Sequence, residues 1–187
     1  RGPDDQGEFH DPCGLTLLHT RLAIQDLSPL GHQPMITSDQ DLAMVFNGEI
    51  YNQQQLRREL EATGYNFRSH SDTEVLLHGF RHWGQELWQR LEGIFAVACW
   101  ERRDRRLTLA RDRFGVKPLL WQREHQRLAF ASELSALMAS GCCNKEALNS
   151  RAIESYLLWG SVAAPNTIVD GVQVFPAGHW ASYQLGQ

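Results

Sequence analysis

The chain has 187 residues, a length that suits one domain or one domain with the start of another. Hydrophobic residues make up 42% of the chain, which is enough for a packed core and too many for a disordered tail. The formal net charge of −4 argues against a nucleic-acid binder. No apolar stretch is long enough to cross a membrane.

The cysteines are irregularly spaced and include no Cys-x-x-Cys pair, so we predict neither a metal site nor a disulfide framework. Cys99 lies in an apolar run and is predicted to be a small core residue. Cys142 and Cys143 are typical of loop thiols in a reducing compartment, which indicates a cytoplasmic protein.

The first part of the chain predicts strands. Residues 15–23 are mostly apolar and β-prone, and residues 42–46 have the pattern of a buried strand. Residues 35–38 are predicted to pair with residues 42–46 through a turn at positions 39 and 40.

Two helices are predicted next. The first spans about residues 53–62, with Asn52 as its cap. The second begins at a capping box, in which Ser71 is the N-cap and Glu74 the third helical residue. A short helix around residues 87–91 follows.

The second half of the chain predicts β-structure and then helices. Short β-like runs separated by turns favour one antiparallel meander, at residues 94–100, 107–111, 119–121 and 128–132. Helical patterns return at 133–139 and 150–158. Segregated strands and helices with antiparallel pairing are typical of the α+β class. The pattern loosens at 142–149, where we predict a boundary.

The run at residues 46–52, Phe-Asn-Gly-Glu-Ile-Tyr-Asn, carries the most chemical information. The Asn47 side-chain amide and the Gly48 backbone N–H are two donors that could stabilise a developing oxyanion. Gly48 has no side chain to block a substrate carbonyl. The alternative is a plain hairpin turn, because Asn-Gly is a common turn dipeptide.

Three charged residues complete the candidate site. Glu49 and Asp72 lie at separate strand-to-helix junctions and could together bind an ammonium group, while Arg21 could bind a carboxylate with its planar guanidinium. The alternatives are an Asp72 that only favours a helix N-terminus and an Arg21 on the surface of an edge strand. The combination suggests an amino-acid site.

The chain resembles the class II, N-terminal-nucleophile glutamine amidotransferase domain of asparagine synthetases. The resemblance is collinear from residue 1 to about residue 139. It rests on the motifs at residues 1–4 (RGPD), 19–24 (HTRLAI), 47–52 (NGEIYN), 71–77 (SDTEVLL), 91–96 (LEGIFA), 110–119 (ARDRFGVKPL) and 131–133 (ASE). Residues 164–168 (APNTI) and 175–179 (FPAGH) look like the lead-in to the synthetase domain.

The resemblance implies a four-layer α/β/β/α sandwich of two antiparallel sheets, of the Ntn-hydrolase type, lacking its first strand and helix. It implies an amidotransferase domain over residues 1–142, truncated at its N-terminus. Residues 143–187 would then be a linker and lead-in to an absent ATP-dependent domain. No cofactor is expected in this chain, whereas ATP and Mg²⁺ are expected in the absent domain.

The resemblance also implies a role for each site residue. Asn47 and Gly48 match the oxyanion hole, and Arg21 matches the arginine that binds the α-carboxylate of L-glutamine. Glu49 and Asp72 match the groups that hold the amino end. Ile24 is the remaining substrate-binding residue, because it falls in the stretch whose backbone lines the glutamine pocket in this family.

The family's nucleophile is an N-terminal cysteine whose own α-amine acts as the base. The chain given begins with Arg1, so the cysteine is expected upstream and the chain alone is expected to be inactive. Cys13 is no substitute, because its amine is part of a peptide bond. The expected partners are L-glutamine, the protein's own C-terminal synthetase domain and a second copy in a homodimer, with no nucleic acid and no membrane.

Two alternatives remain from the sequence. The first is a related β-lactam-forming or lasso-peptide-cyclising synthetase, in which a similar domain serves only as a scaffold. The second is a module that binds glutamine without chemistry. Retention of the whole set Arg21, Asn47, Gly48, Glu49 and Asp72 weighs against a scaffold.

Overall fold

The structure is a computed structural model that describes residues 2–185. The chain divides into two compact units, the first built from residues up to 110 together with 180–185 and the second from residues 111–179. The end of the amidotransferase domain predicted at residue 142 is a different kind of boundary from the division into compact units, and it stays a prediction. Within residues 2–185, no helix combines the length and the apolar character needed to cross a membrane.

Strands and helices are numbered in chain order. The first unit contains the strands β1 (Asp5–Asp11), β2 (Leu15–Arg21), β3 (Met35–Ile36), β4 (Leu42–Ile50), β5 (Gly93–Glu101), β6 (Arg106–Arg111) and β10 (Trp180–Gln184). Its helices are α1 (Gln53–Ala62), α2 (Asp72–Trp83) and α3 (Leu87–Arg90). The second unit contains β7 (Leu120–Glu124), β8 (Arg127–Ala131), β9 (Gln173–Val174), α4 (Leu134–Ala139) and α5 (Ser150–Trp159).

A five-stranded antiparallel sheet in the order β10-β6-β5-β4-β3 is the centre of the first unit. Its main core lies on the face that meets α1 and α2. Because side chains alternate along a strand, Met44 and Phe46 of β4 share this face. Their partners in the core include Leu56, Leu60, Leu76, Phe80, Phe95 and Val97.

The other face of the sheet meets a two-stranded antiparallel sheet formed by β1 and β2. The Trp100 indole N–H of β5 donates to Asp11 Oδ2 of β1 at 3.2 Å. A ring nitrogen of His19 in β2 lies 3.2 Å from the Phe46 carbonyl oxygen of β4. Two antiparallel sheets in contact, with helices outside them, confirm the predicted α+β class. β1 was not predicted because Phe9 is its only large apolar residue.

The second unit has a three-stranded antiparallel sheet in the order β8-β7-β9. The prediction of one meander was therefore wrong, since β5–β6 and β7–β8 belong to different sheets. The Asp112 carboxylate accepts backbone N–H bonds from Phe114, Val116 and Lys117, which folds the segment after β6 into a compact turn. A turn was predicted between residues 111 and 119, but it does not join two strands of one sheet.

The helix caps agree with the sequence prediction at α2 but not at α1. The Ser71 hydroxyl accepts the Glu74 N–H at 3.3 Å, as the capping box predicts. The Glu74 carboxylate instead accepts the N–H groups of Arg68 and Ser69, which fixes the segment before α2. Asn52 is not a side-chain cap, because its amide is used by the Arg90 carbonyl and the Glu92 N–H.

Cys99 is fully buried in the main core, as predicted. Cys143 lies in the loop between α4 and α5, as predicted, but its side chain is buried with Leu137 and Val169 in the core of the second unit. Cys142 is exposed.

Candidate functional site

The candidate oxyanion donors lie within a strand. β4 continues to Ile50, four residues beyond its predicted end at Phe46, and pairs with β5 over its whole length. Asn47 lies opposite Ala96, and Gly48 lies opposite Phe95. Asn47 and Gly48 therefore do not form a hairpin turn, and the alternative reading of this dipeptide was wrong.

Backbone groups alternate in direction along an antiparallel strand. The Tyr51 N–H donates to the Glu92 carbonyl at 2.7 Å. The backbone N–H groups of odd-numbered residues therefore point toward β5 in this part of β4. The N–H groups of Phe46, Gly48 and Ile50 accordingly point to the opposite edge. β3 covers that edge only as far as Met44.

Side chains occupy two of these three N–H groups. Gln33 Oε1 accepts the Phe46 N–H at 2.7 Å, and Asp72 Oδ2 accepts the Ile50 N–H at 3.2 Å. The Gly48 N–H lies between them and has no acceptor among the residues that the structure describes. A ligand oxygen placed at this edge would therefore find one directed and unused donor.

Glycine at position 48 is required by the close approach of two backbones. A Cβ atom there would lie 2.2 Å from the Ile94 carbonyl oxygen and 2.8 Å from the Phe95 Cα atom. Asn47 has no such constraint. Its side chain is exposed and lies on the opposite face of β4 from Phe46, where its amide is open to a ligand.

Asp72 is the first residue of α2 and is buried. Burial is the main cause that raises the pKa of its carboxyl to about 6; the nearby Glu49 carboxylate makes a smaller contribution, and hydrogen bonds from backbone N–H groups oppose both effects. The effect of Glu49 on Asp72 indicates that the two carboxylates of the predicted ammonium site lie in one neighbourhood.

Glu49 is exposed at the end of β4 and accepts a hydrogen bond from Gln25 Nε2 at 3.3 Å. This bond brings the segment after β2 to the end of β4. Ile24, the residue before Gln25, is largely exposed in that segment. The role of its backbone in lining the pocket stays a prediction.

Arg21 is the last residue of β2 and is buried, with 9% of its surface exposed. It is therefore not a surface residue of an edge strand. Its Nη1 donates to the Ser28 carbonyl at 3.0 Å, and its Nη2 donates to the Asp26 carbonyl. These bonds orient the guanidinium and use only part of its N–H donors.

Asp26 joins Arg21 to the start of α2. Its carboxylate oxygen Oδ2 accepts the His70 N–H at 2.9 Å, two residues before Asp72. The structure thus gathers Asn47, Gly48, Glu49 and Asp72 at the end of β4 and links Arg21 to that end through Asp26. The roles assigned to these residues stay predictions.

Sequence reasoning missed both Asp26 and Gln33. For Asp26 a local signal existed, since an Asp followed two residues later by Ser28 is a pattern for a side chain that accepts a nearby N–H. Gln33 carries no local signal. Its bonds to Phe46 and Thr73 depend on the tertiary fold.

Cys13 lies in the turn between β1 and β2, where its backbone N–H donates to Asp11 Oδ1 at 3.0 Å. Burial raises the pKa of its thiol, and a hydrogen bond between the thiol itself and the Asp11 carboxylate adds to this effect. A raised pKa lowers the thiolate fraction, which disfavours a nucleophilic role.

Comparison with known proteins identifies the family. The model of the glutamine amidotransferase domain family matches residues 1–187, and the chain belongs to that family. It is 41% identical over 168 residues to glutamine-hydrolyzing asparagine synthetase 1 of Bacillus subtilis, covering 90% of this chain and 26% of the relative. It is 42% identical over 144 residues to asparagine synthetase 3 of the same organism, covering 74% and 23%.

A solved structure supports the fold. Glutamine phosphoribosylpyrophosphate amidotransferase from B. subtilis superposes with a TM-score of 0.58 at 27% identity, covering 67% of this chain and 29% of that one. This likeness confirms the predicted Ntn-type sandwich. The chain spans about a quarter of the length of the curated relatives it matches.

Proposed function

We propose that this chain is the glutaminase domain of a glutamine-hydrolysing asparagine synthetase. The observation that carries the proposal is the Gly48 N–H at the edge of β4, which has no acceptor in the described part of the chain and lies between two N–H groups that are occupied by Gln33 and Asp72. With the exposed Asn47 amide beside it, this edge can accept an oxyanion. The names of the matching relatives indicate which reaction uses it.

In this proposal L-glutamine binds at the end of β4. Its side-chain carbonyl oxygen lies against the Asn47 amide and the Gly48 N–H. Its α-ammonium group lies between the Glu49 and Asp72 carboxylates, and its α-carboxylate contacts Arg21. Each charged end of the substrate then meets the opposite charge, and the polarised carbonyl meets two donors.

The reaction requires a nucleophile, which we assign to an N-terminal cysteine of the longer protein, outside residues 1–187. Its thiolate attacks the amide carbon, and the negative charge that develops on oxygen is stabilised by Asn47 and Gly48. The α-amine of the cysteine, which took the proton of the thiol, donates it to the leaving nitrogen, and the intermediate collapses to a thioester as ammonia departs. Water then hydrolyses the thioester to glutamate through a second oxyanion at the same donors.

The fate of the ammonia is part of the same proposal. A synthetase domain outside these residues would activate aspartate with ATP and Mg²⁺, and ammonia would displace the activating group to give asparagine. A cytoplasmic homodimer is the expected form of the full-length enzyme.

Two assays of the full-length protein test the proposal. We expect ammonia release from glutamine, measured by a coupled glutamate dehydrogenase assay, and asparagine formation from aspartate, ATP and glutamine. Glutaminase activity without asparagine would indicate a different acceptor. A protein that binds glutamine without hydrolysing it would be a binding module, and one that does neither would be a scaffold.

A further inference from the structure

We propose that Asp26 is a positioning residue that holds Arg21 and Asp72 in the relative placement needed for one glutamine molecule. The inference rests on the proposed function, in which Arg21 binds the α-carboxylate and Asp72 the α-ammonium group. These two substrate groups are attached to the same carbon atom. Their protein partners must therefore be held at a defined separation, although they come from β2 and α2.

Asp26 is bonded in both directions. Its backbone carbonyl accepts a hydrogen bond from Arg21 Nη2, and its carboxylate oxygen Oδ2 accepts the His70 N–H at 2.9 Å. Its other carboxylate oxygen accepts the Ser28 N–H at 2.8 Å. Because the Ser28 carbonyl is the second acceptor for Arg21, Asp26 also fixes that contact.

The α2 side of this connection is firmly held. The Ser69 N–H donates to the Glu74 carboxylate at 2.7 Å, and the Ser69 carbonyl accepts Arg57 Nη2 at 2.9 Å. His70 follows Ser69 directly, and Asp72 follows two residues later. The path from Arg21 to Asp72 therefore runs through short backbone segments that the surrounding hydrogen bonds immobilise.

Asp26 is placed to act through Arg21 and Asp72 and not on the substrate. Each carboxylate oxygen is used by a backbone N–H, and only 8% of the residue's surface is exposed. Loss of either bond would release the segment that carries the acceptors for Arg21 while leaving the donors at Asn47 and Gly48 in place. The KM for glutamine should then rise by a larger factor than kcat falls.

The test uses the full-length protein with Asp26→Asn and a matched control, Asp11→Asn. Asp11 is equally buried, at 8% exposure, and also accepts several hydrogen bonds, but it lies in β1 and contacts Trp100 and Arg102. Asp26→Asn should raise the KM for glutamine about tenfold, or about 1.4 kcal/mol, with a smaller change in kcat. Asp11→Asn should lower Tm and leave that KM unchanged.

A double variant separates positioning from general destabilisation. If Asp26 acts through Arg21, then Arg21→Ala and Arg21→Ala with Asp26→Asn should have the same KM, because no guanidinium remains to be positioned. Additive effects of the two substitutions, or an unchanged KM in Asp26→Asn, would overturn the proposal. A wild-type KM in Arg21→Ala would instead contradict the site assignment on which the proposal rests.

Hydrogen exchange on the unsubstituted protein gives a reading that does not depend on the folding of any variant. Glutamine, replenished during labelling because the enzyme hydrolyses it, should slow the exchange of the Ser28 and His70 amides together, since both are bonded to Asp26, and should not affect the Cys13 amide bonded to Asp11. Unchanged exchange at Ser28 and His70 on saturation with glutamine would also overturn the proposal.

Discussion

The Asp72 carboxylate accepts the backbone N–H of Ile50 at 3.2 Å, which joins the first residue of α2 to the last residue of β4. One carboxylate thereby accepts the last backbone N–H of the strand that carries Asn47 and Gly48, and it also lies close enough to the Glu49 carboxylate for that charge to raise its pKa. Asp72 therefore contributes both to the hydrogen bonding that holds the end of β4 and to the charge of the candidate site.

Asn47→Ala should reduce kcat for glutamine hydrolysis by roughly 10²–10³-fold, because one oxyanion donor is lost. The side chain is exposed and makes no hydrogen bond within the described residues, so Tm should change little. Steady-state kinetics of the full-length protein and thermal denaturation check both parts. A small change in kcat would remove Asn47 from the oxyanion hole.

Gly48→Ala should lower both stability and activity. The new methyl group would overlap the Ile94 carbonyl oxygen and the Phe95 Cα atom, so β4 must shift away from β5. Overpacking of this kind costs about 1–3 kcal/mol. Denaturant unfolding measures the loss, and an Asn47→Ala protein of unchanged stability serves as its control. A Gly48→Ala protein with wild-type stability would contradict the close approach.

Gln33→Ala should destabilise the protein through the loss of buried hydrogen bonds. Gln33 is buried and bridges the Phe46 N–H and the Thr73 hydroxyl, so its loss leaves polar groups without partners at a cost of about 1–3 kcal/mol. Gln55→Ala on the exposed face of α1 is the control and should stay within about 0.5 kcal/mol of wild type. Equal stabilities of the two variants would show that Gln33 has no structural role.

Local sequence patterns predicted the elements whose causes are local. The apolar spacing gave α1 its predicted range, and Ser71 caps α2 as expected. The end of β4 was placed too early because Asn47 and Gly48 disfavour strands, whereas pairing with β5 holds them in one. Tertiary hydrogen bonds prevail over propensity at this position, where the candidate site lies.

The long-range hydrogen bonds that organise the candidate site could not be predicted from local sequence patterns. Arg21, Glu49 and Asp72 were selected for their charges and for the resemblance to the amidotransferase family. Both arguments identify only residues that contact a ligand directly. Asp26 and Gln33 bond to backbone groups 44 and 13 positions away in sequence. Only the fold shows which N–H groups they occupy and that the Gly48 N–H has no acceptor among residues 2–185.

The raised pKa of Asp72 predicts that Asp72→Asn stabilises the protein near neutral pH. Between pH 3.8, the ordinary value, and about 6, the unfolded state loses this proton while the folded state keeps it. The free energy of unfolding therefore falls as pH rises through this window, by about 3 kcal/mol at most. An asparagine can still accept the Ile50 N–H and carries no buried charge.

Thermal denaturation at pH 4 and pH 7.5 checks this. The Asp72→Asn protein should melt higher than wild type at pH 7.5, and the two should converge at pH 4. A variant that is less stable than wild type at both values would show that the ionised carboxylate has favourable partners outweighing its burial.

The same carboxyl predicts the acid limb of glutamine hydrolysis. Asp72 must be ionised to attract the substrate ammonium group, so kcat/KM for glutamine should fall by about tenfold per pH unit below pH 6, with an apparent pKa near 6 that reports the free enzyme. Asp72→Asn should have a low kcat/KM that no longer changes over this range. Glu49→Gln is the matched comparison: it removes the neighbouring charge that raises the pKa of Asp72, so its acid limb should move to lower pH. An acid limb that persists unshifted in both variants would assign the titration to another group and exclude Asp72 from ammonium binding.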